Sequence, residues 1–550
     1  MIIYTKGSKT IMLNRLKSIF IPFFTILMTF LLLVGLFLKT KYITFSDAAK
    51  FADVARNLVN GLGYVSSFSF SGSLASGQLA HFFSTMSLIL PVMPLSIAGF
   101  FKVFGIGDFA VIATSFFYFL LTLIFVFLLA KRIYKNNLVG ILSTLAVGFN
   151  YDLIHYAVSG ASESPFIFEI VAATYFVGLK KKCATILAFV LLVLMYFTRR
   201  QAFIYIAGLV LYYFLSRFKT KKAILYFLGV SIAALLFDRY VLLHFVGKYF
   251  LYSVIGNGLN VGSQYLPGSA VSDALRGDSS LGVPIVSIGK KVFYNLYNFY
   301  KLLPQIMSPY LFALFAIGLF IKSKFRSEST FKIASIFMVV VTLLVTAASI
   351  PFYRYLHPVV PLIYVVAVGT LFEILNLVFT KQKLIIPVSL FLILLFGAGQ
   401  TLGVLILDSR FEANTHNVGK PPIYVVLSQV LKANTNPSQV IITNLDTWGS
   451  WYGERKTVWF PLEPKQLIDP TTGKIPFNAI YLTSYLIDDQ NYYMGNSWRG
   501  IFNNPNDSKE WICDGCQEIA KEFKLKGIYK VNAGEDYERQ DASSMLLIKK

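Results

Sequence analysis

Residues 19–38 read IFIPFFTILMTFLLLVGLFL, which is twenty consecutive positions without a charged side chain. At a helical rise of about 1.5 Å per residue this run is about 30 Å long, the thickness of the hydrocarbon core of a bilayer. No small-residue cleavage site follows the run, so the pattern predicts an uncleaved first transmembrane helix and not a secretory signal.

Ten further apolar runs have a similar length: 109–130, 138–155, 164–179, 183–198, 201–216, 223–245, 305–321, 333–350, 357–379 and 384–407. The composition agrees with them, since 55% of the residues are hydrophobic and only 14% are charged, against about 25% charged in a typical soluble domain. These values exclude a disordered chain, a coiled coil and a disulfide-rich secreted module. Long continuous runs favour spanning helices over a barrel, so we predict an all-α polytopic membrane domain with about eleven transmembrane helices.

The positive charge is concentrated in one part of the chain. Residues 408–550 hold 16 basic and 17 acidic residues, whereas residues 1–407 hold 34 basic and 11 acidic residues. The basic excess lies in loops between apolar runs, which is typical of the positive-inside rule and not of a nucleic-acid-binding face. We therefore predict membrane lipids and not nucleic acid as partners.

One apolar stretch, 82–104, decides the topology, and it contains Pro91 and Pro94. If it lies along the outer surface, 20 of the 34 basic residues fall in six inner loops; if it crosses the bilayer, every later loop is inverted. We predict the surface position, a cytoplasmic amino terminus, and long outer loops at 39–108 and 246–304. The protein is then a multi-pass protein of the cytoplasmic membrane.

Residues 408–550 are predicted to form a separate extracytoplasmic α/β domain that follows the membrane domain 1–407. Apolar segments at 440–444, 478–482 and 527–531 predict buried strands, and 423–433 and 516–526 predict helices. In the first outer loop, SDAAKFADVARNLVNGLGY (46–64) has apolar residues at helical spacing, which predicts an amphipathic helix on the membrane surface.

Two acids are predicted on the outer side of the membrane domain. Asp47 begins the surface helix, and Glu163 in SGASESPF begins the fourth span. Each has a structural interpretation, because Asp47 or Ser46 caps its helix and Glu163 is a first-turn acid before Pro165. A carboxylate near a bilayer is costly, and the second interpretation is that both acids converge on one outer cavity.

Three outer arginines depart from the positive-inside pattern: Arg199 and Arg200 in YFTRRQAF, and Arg354 in PFYRYLHPVVP. They either extend to the lipid headgroups or bind an anionic ligand, since the guanidinium group matches phosphate geometry. Lys50 and Arg56 on the surface helix are candidates for the same ligand.

The order of these segments resembles a known family. SDAAKFADVARNLVNGLGY is followed by LPVMPLSIAGFFKVFG, then SGASESPF, YFTRRQAF and RYLHPVVPL. This order resembles the GT-C integral-membrane glycosyltransferases, in particular bacterial relatives of protein O-mannosyltransferases and lipid A aminoarabinose transferases. The resemblance covers nearly all of residues 1–407.

The resemblance implies a hexosyl- or pentosyltransferase that uses a polyprenyl-phosphate-linked sugar. Asp47 and Glu163 are then the catalytic carboxylates. The residues that contact the donor phosphate are Arg354, Arg199, Arg200 and Arg56. Further candidates for substrate contacts are Lys50, Tyr353, His357 and Gln201. A single displacement inverts the anomeric carbon, and the acceptor is a lipid, a glycan or a protein. No cofactor is expected, although a divalent cation shared by Asp47 and Glu163 stays an alternative.

Two other functions remain open on the sequence: a transporter or flippase of lipid-linked saccharide, and a non-enzymatic scaffold. A transporter is expected to carry polar residues at the midplane, whereas this chain places them at the outer face. Cys513 and Cys516 have CxxC spacing without a second pair for zinc. They form a local disulfide, which we favour, or a redox pair. The five histidines show no metal-ligand spacing.

Overall fold

The structure is a computed structural model that describes residues 27–69, 89–242, 244, 285–349, 351–379, 382–398, 401, 421–445, 447–461, 463–469, 472–485, 494–532 and 541–550. His81 and His416, the first part of the predicted span 17–38, and most of the predicted outer loop 246–304 lie outside these residues.

Helices make up the membrane part of the chain. They are α1 Leu27–Lys39, α2 Ser46–Val59, α3 Val92–Phe104, α4 Asp108–Tyr134, α5 Asn137–Gly148, α6 Tyr151–Ala157, α7 Glu163–Gly178, α8 Lys182–Thr198, α9 Ala202–Arg217, α10 Thr220–Leu236, α11 Ile285–Lys301, α12 Leu303–Ile306, α13 Pro309–Phe320, α14 Arg326–Ala348, α15 Val360–Val378 and α16 Gln382–Ile393. A 3-10 turn, Tyr353–Val359, leads into α15, and short π-helical turns continue α10 and α16.

Several of these helices have the length and composition of membrane spans. Four do so within the described residues: Asp108–Tyr134, Thr220–Tyr240, Arg326–Ala348 and Tyr353–Val378, with the pair α5–α6 as a fifth if it is one bent span. Other apolar helices, such as α8 and α9, have 10–17 residues. The chain is therefore a multi-pass membrane protein, and the count of eleven spans stays a prediction.

The predicted run 138–155 is not one straight helix. It divides into α5 and α6, which are bent by 72°. Asn150 causes the break, because its side-chain oxygen accepts a hydrogen bond from the backbone of Leu153 and so caps a new helix.

The ambiguous stretch 82–104 contains α3, which begins directly after Pro91 and ends at Gly105, whose φ is 84°. Its 13 residues give a length of about 20 Å, which is too short to cross about 30 Å of hydrocarbon. The helix packs against α2 and α4. Residues 82–88 lie outside the described part of the chain.

A mixed sheet forms the carboxyl-terminal part. Its strands are β1 Phe68–Ser69, β2 Val440–Thr443, β3 Lys456–Trp459, β4 Ala479–Thr483, β5 Phe523–Asn532 and β6 Asp541–Lys549, in the order β1-β3-β2-β4-β6-β5. The first four in this order are parallel, and β6 is antiparallel to both β4 and β5. The helices of this part are α17 Ile423–Asn434, α18 Trp448–Trp451, α19 Asn496–Asn503 and α20 Cys516–Glu522.

The predicted α/β elements are confirmed with two corrections. The helix predicted at 516–526 ends at Glu522, because the chain is extended from Phe523 onward in β5. The strand predicted at 527–531 lies within β5 but alternates between half-buried and exposed residues, since only one face of this edge strand is covered.

The sheet is not confined to residues 408–550. Its edge strand β1 comes from the first outer loop, and the backbone of Thr457 donates a hydrogen bond of 2.8 Å to the Ser67 carbonyl. The main hydrophobic core also continues from the helical bundle into α17 through residues such as Ile423 and Leu427. The two predicted domains are therefore joined by a shared sheet and a shared core.

Candidate active site

Helix α2 positions Asp47. The helix begins at Ser46 after Phe45, which makes no side-chain capping bond, so the interpretation of Ser46 or Asp47 as the cap is wrong. The Asp47 carboxylate instead contacts two cations: Lys50 Nζ at 3.3 Å and Arg354 Nη1 at 3.4 Å. Arg354 lies 307 residues further along the chain, so tertiary packing creates this pair.

Glu163 is buried at the first position of α7, with 3% of its surface exposed. One of its carboxylate oxygens lies 2.6 Å from Arg199 Nη1, and the same nitrogen donates to Ser162 Oγ at 3.0 Å. Glu163 is at a helix amino terminus and Arg199 follows the last turn of α8, where the helix dipoles favour an anion and a cation respectively.

A tight backbone contact brings the two acids to the same place. Gly160, three residues before Glu163, has a φ of 77°, and a Cβ there would lie 2.7 Å from Val111 and 3.0 Å from the Cβ of Ala48. Ala48 is the neighbour of Asp47 in α2, so the loop that carries Glu163 lies directly against the start of α2. Only glycine fits this position without strain.

Tyr355 connects the two ion pairs. Its ring centre lies 5.7 Å from Arg199 Cζ and 5.4 Å from Arg354 Cζ, within the range of cation–π attraction. Asp47, Glu163, Arg199, Arg354 and Tyr355 therefore form one group, which we name the acid–arginine cluster. Of the predicted residues, Asp47, Glu163, Arg199 and Arg354 thus lie together in the structure.

The electrostatics of the cluster favour a charged Asp47. Burial raises the pKa of this carboxyl, but Lys50, Arg354 and Arg199 outweigh burial and hold the pKa below its ordinary value. Arg354 Nε is buried without a hydrogen-bond partner among the described residues. A buried N–H of a guanidinium group without a partner calls for an acceptor, and an anionic ligand supplies one.

A second hydrogen-bonded group adjoins the cluster. Tyr156 Oη lies 2.6 Å from Nδ1 of His357, which is fully buried, and Nε2 of His357 lies 3.5 Å from the Asp152 carboxylate. The sequence analysis predicted His357 but missed Asp152 and Tyr156. Their spacing of four residues in YDLIHYA places them on one face of α6, which was the available signal.

The other predicted residues separate into two sets. Lys50 joins the cluster through Asp47, and Gln201 lies close by, two residues after Arg199, with its Oε1 buried and without a hydrogen-bond partner among the described residues. Tyr353 is 40% exposed and packs edge-on against His357, whereas Tyr355 packs against Arg199 and Arg354. Arg200 is exposed.

Arg56 does not reach the cluster, which corrects its predicted role. It lies nine residues after Asp47 on α2, about half a turn around the helix axis, and therefore on the opposite face. There it pairs with the buried Asp53 at 2.6 Å and donates to the carbonyls of Ser450 and Trp451. Burial raises the pKa of Asp53 even beside this arginine. Arg56 thus attaches α2 to the carboxyl-terminal part.

The residues of the cluster do not fit a divalent cation. Asp47 and Glu163 are already neutralised by Lys50, Arg354 and Arg199, and hard cations prefer several uncompensated oxygen ligands. Within the described ranges no group of three or more His, Cys, Asp or Glu side chains is arranged to hold a metal ion.

Cys513 and Cys516 form a disulfide in the carboxyl-terminal part, as the sequence analysis favoured, and Cys183 is free and exposed. The disulfide packs beside the chain at Lys465, remote in sequence from the acid–arginine cluster.

Comparison with known proteins gives one family match. Residues 90–241 match the family described as dolichyl-phosphate-mannose-protein mannosyltransferase. No curated protein has a significantly similar sequence. The match covers α3 to α10 and includes Glu163, Arg199 and Arg200.

Two solved structures are similar over most of the chain. Oligosaccharyltransferase from Archaeoglobus fulgidus, in complex with Zn and sulfate, is 11% identical with a TM-score of 0.51, covering 93% of this chain and 73% of its own. ArnT from Cupriavidus metallidurans, bound to undecaprenyl phosphate, is 11% identical with a TM-score of 0.45, covering 95% and 97%. The archaeal structure shares the fold. The predicted resemblance to the GT-C integral-membrane glycosyltransferases is confirmed.

Proposed function

We propose that this protein transfers a sugar from a polyprenyl-phosphate donor to an acceptor at the outer face of the cytoplasmic membrane. The observation that carries the proposal is the acid–arginine cluster, in which Asp47 and Glu163 each pair with an arginine from another segment of the chain. The match to a family described by a dolichyl-phosphate sugar supports a lipid-phosphate donor. A multi-pass helical bundle lies in the membrane, and a lipid-linked donor can enter the site from there.

The reaction follows from the chemistry of the cluster. The acceptor hydroxyl oxygen forms a bond to the anomeric carbon, while the bond from that carbon to the phosphate oxygen breaks. The hydroxyl proton passes to the Asp47 carboxylate, and the electron pair of the broken bond stays on the departing lipid phosphate. A single displacement of this kind inverts the anomeric carbon.

The arginines stabilise the leaving phosphate. Arg354 lies 3.4 Å from Asp47, a loose pairing that a phosphate oxygen can replace, and its Nε–H is available to the same group. Arg199 packs against the same Tyr355 ring as Arg354. Fixed cations in a site partly closed to water are worth more than the same cations in bulk solvent.

The low pKa of Asp47 has a defined consequence for the mechanism. The carboxylate is charged at neutral pH and is therefore ready to accept a proton, but it is a weak base. Glu163 pairs with Arg199 and so orients this arginine within the acid–arginine cluster.

The test is transfer of labelled sugar by the purified protein in detergent. Asp47→Asn keeps the size of the side chain but removes the base and one of its two acceptor oxygens, so transfer from a polyprenyl-phosphate sugar is expected to fall at least about 100-fold. Asp514→Asn is the matched control, since this carboxylate is 72% exposed in the carboxyl-terminal part.

Wild-type rates in Asp47→Asn would contradict the catalytic assignment. Because the assay has no second compartment, any transfer also separates this proposal from the alternative of a transporter or flippase of lipid-linked saccharide.

A further inference from the structure

A partly exposed carboxylate beside the acid–arginine cluster has no role in the transfer step described above. Asp152 is in the first turn of α6, and 15% of its side chain is exposed. It is not the cap of this helix, because Asn150 caps α6 through the backbone of Leu153. Among the described residues its one ion-pair partner is His357, whose Nε2 lies 3.5 Å from a carboxylate oxygen. A carboxylate has about four acceptor positions, so most of them are open to a ligand.

The position of the proton on His357 follows from its contacts. Nδ1 of this fully buried ring lies 2.6 Å from Tyr156 Oη. The buried Tyr156 hydroxyl makes no other hydrogen bond within the part of the chain that the structure describes, so its hydrogen points to Nδ1, which is the acceptor. The neutral ring then carries its own proton on Nε2, the nitrogen that faces Asp152.

The donor on His357 and the acceptor on Asp152 do not satisfy each other. Their separation of 3.5 Å is longer than an ordinary hydrogen bond, and Nε2 is buried without a hydrogen-bond partner among the described residues. Buried donors are rarely left without an acceptor. A ligand hydroxyl group satisfies both sides, because it accepts from Nε2–H and donates to the carboxylate at the same time. An ammonium group only donates, so it leaves Nε2–H unpaired.

Aromatic packing places α6 beside the start of α2. The rings of His155 and Tyr156 lie 5.1 Å and 5.8 Å from the ring of Phe45, measured between ring centres. Phe45 is two residues before Asp47 in the sequence. The helix that carries Asp152 is therefore adjacent to the proposed catalytic base.

The 3-10 turn before α15 brings His357 close to the arginine that we assign to the donor phosphate. Arg354 and His357 are three residues apart in this turn, so their side chains lie on one side of it, about 6 Å apart along its axis. Asp152 and Arg354 both act electrostatically on the Tyr156 hydroxyl. A sugar that is joined to a phosphate at Arg354 is therefore within reach of Asp152.

We infer that Asp152 recognises the transferred sugar, and that this sugar is neutral and is bound through its hydroxyl groups. One hydroxyl bridges Nε2–H of His357 and the Asp152 carboxylate, and an adjacent hydroxyl donates to the remaining acceptor positions. A sugar that carries a carboxylate is disfavoured, because Asp152 repels a like charge. This inference rests on the proposed transferase function and adds the residue that selects the sugar.

The experiment is a binding titration of the purified full-length protein in detergent by native mass spectrometry, which separates bound lipids by mass. The lipids are undecaprenyl phosphate and the same lipid linked to mannose, glucose, galactose or glucuronic acid. The wild type is expected to bind its preferred hexose lipid at least about tenfold more tightly than the glucuronic acid lipid. Asp152→Asn is expected to weaken binding of that hexose lipid about tenfold, the cost of a hydrogen bond to a charged group, and binding of undecaprenyl phosphate less than about twofold.

Two variants of His357 test the bridging hydroxyl. The amide of asparagine reaches the position of Nδ1, whereas the amide of glutamine reaches the position of Nε2. His357→Asn is therefore expected to weaken binding of the hexose lipid about three- to fivefold, and His357→Gln less than about twofold. Asp514→Asn is the control, since this carboxylate is 72% exposed in the carboxyl-terminal part, and it is expected to bind every lipid like wild type. Binding of undecaprenyl phosphate shows that each variant is folded.

The inference is overturned if Asp152→Asn binds the hexose lipid within about twofold of wild type, if it loses undecaprenyl phosphate to the same extent, or if the wild type prefers the glucuronic acid lipid. The titration needs no acceptor and is separate from the transfer assay. Loss of transfer in Asp47→Asn with unchanged binding in Asp152→Asn shows that only the sugar assignment has failed. A wild type that binds none of these lipids contradicts the proposed transferase itself.

Discussion

Asp47 and Arg354 show how the candidate site depends on single side chains. Each has an ordinary structural explanation in the sequence, as a helix cap and as an arginine that extends to the headgroups. In the structure neither explanation describes their contacts, since Asp47 binds two cations and Arg354 keeps an unsatisfied Nε–H. Side chains that are arranged at a cost in hydrogen bonding are expected to serve a ligand.

The geometry of the guanidinium group gives a prediction for Arg354. Arg354→Lys keeps the positive charge but loses the planar fork that binds two phosphate oxygens, so kcat/KM for the lipid-linked donor is expected to fall at least about tenfold. Arg200→Lys is the matched control, because Arg200 is exposed outside the cluster, and it is expected to stay within about twofold of wild type. Equal losses in both variants would contradict the assignment of phosphate binding to Arg354 and not to Arg200.

The lowered pKa of Asp47 predicts a pH dependence of stability. Because the folded-state pKa lies below the unfolded value of about 3.9, the contribution of the carboxylate is fully present above pH about 4. It is lost only as the pH falls through the folded-state pKa. Thermal melts of wild type and Asp47→Asn are therefore expected to differ by a constant amount between pH 5 and 8. A difference that shrinks between pH 7 and 5 would contradict the direction of the shift.

Helix α2 connects the acid–arginine cluster with the carboxyl-terminal part, because its two faces make different contacts. Asp47 and Lys50 serve the acid–arginine cluster, whereas Asp53 and Arg56 attach the helix to α18. The predicted amphipathic helix is confirmed, with Ala48, Ala52 and Ala55 fully buried, although it packs on protein through these residues. Small side chains on that face allow neighbouring backbones to approach closely.

The contact between Gly160 and α2 gives a prediction about element packing. Gly160→Ala forces a Cβ into Val111 and Ala48 and places alanine at a φ of 77°, so the variant is expected to lose about 2 kcal/mol or more of stability. Transfer activity is expected to fall with it, because Glu163 moves relative to Asp47. The measurements are thermal melting and the transfer assay.

Gly99→Ala is the control for that substitution. Gly99 lies in α3 with nothing within 4 Å of an added Cβ, and alanine is the better helix former, so this variant is expected to be neutral or slightly more stable. If Gly160→Ala melts and transfers like Gly99→Ala, the contact does not position the acids.

The carboxyl-terminal part is docked on the ends of the helices α2 and α4. Asp108 at the start of α4 accepts hydrogen bonds from Trp451 Nε1 at 2.7 Å and Tyr452 Oη at 2.6 Å. Burial, followed by the nearby Asp108 charge, raises the pKa of Tyr452 well above its ordinary value, so the phenol stays a donor. Together with β1 and α2, this contact attaches the carboxyl-terminal part to the helical bundle.

The orientation of the whole chain in the membrane is testable with its own cysteines. Cys183 is free and exposed at the start of α8, in a loop predicted to be cytoplasmic, and Cys513 and Cys516 are joined. A membrane-impermeant thiol reagent is expected to label Cys183 only after permeabilisation. Lys474→Cys, at an exposed position of the carboxyl-terminal part, is expected to react in intact cells. Labelling of Cys183 in intact cells would reverse the topology and the proposed location of the site.

The sequence by itself determined the helical membrane class and most helix bounds, and it singled out Asp47, Glu163, Arg199 and Arg354 as candidates, because long apolar runs and charges beside a bilayer are local and costly features. Only the tertiary structure decided which charges meet. Arg56 and Arg200 have the same side chain as Arg354 but face elsewhere, and Tyr355, Tyr156 and Asp152 enter the site through contacts between distant helices. The shared sheet could likewise not be predicted from the sequence, since the two residues of β1 are too few to show a strand pattern. Only their pairing with β3 makes them a strand.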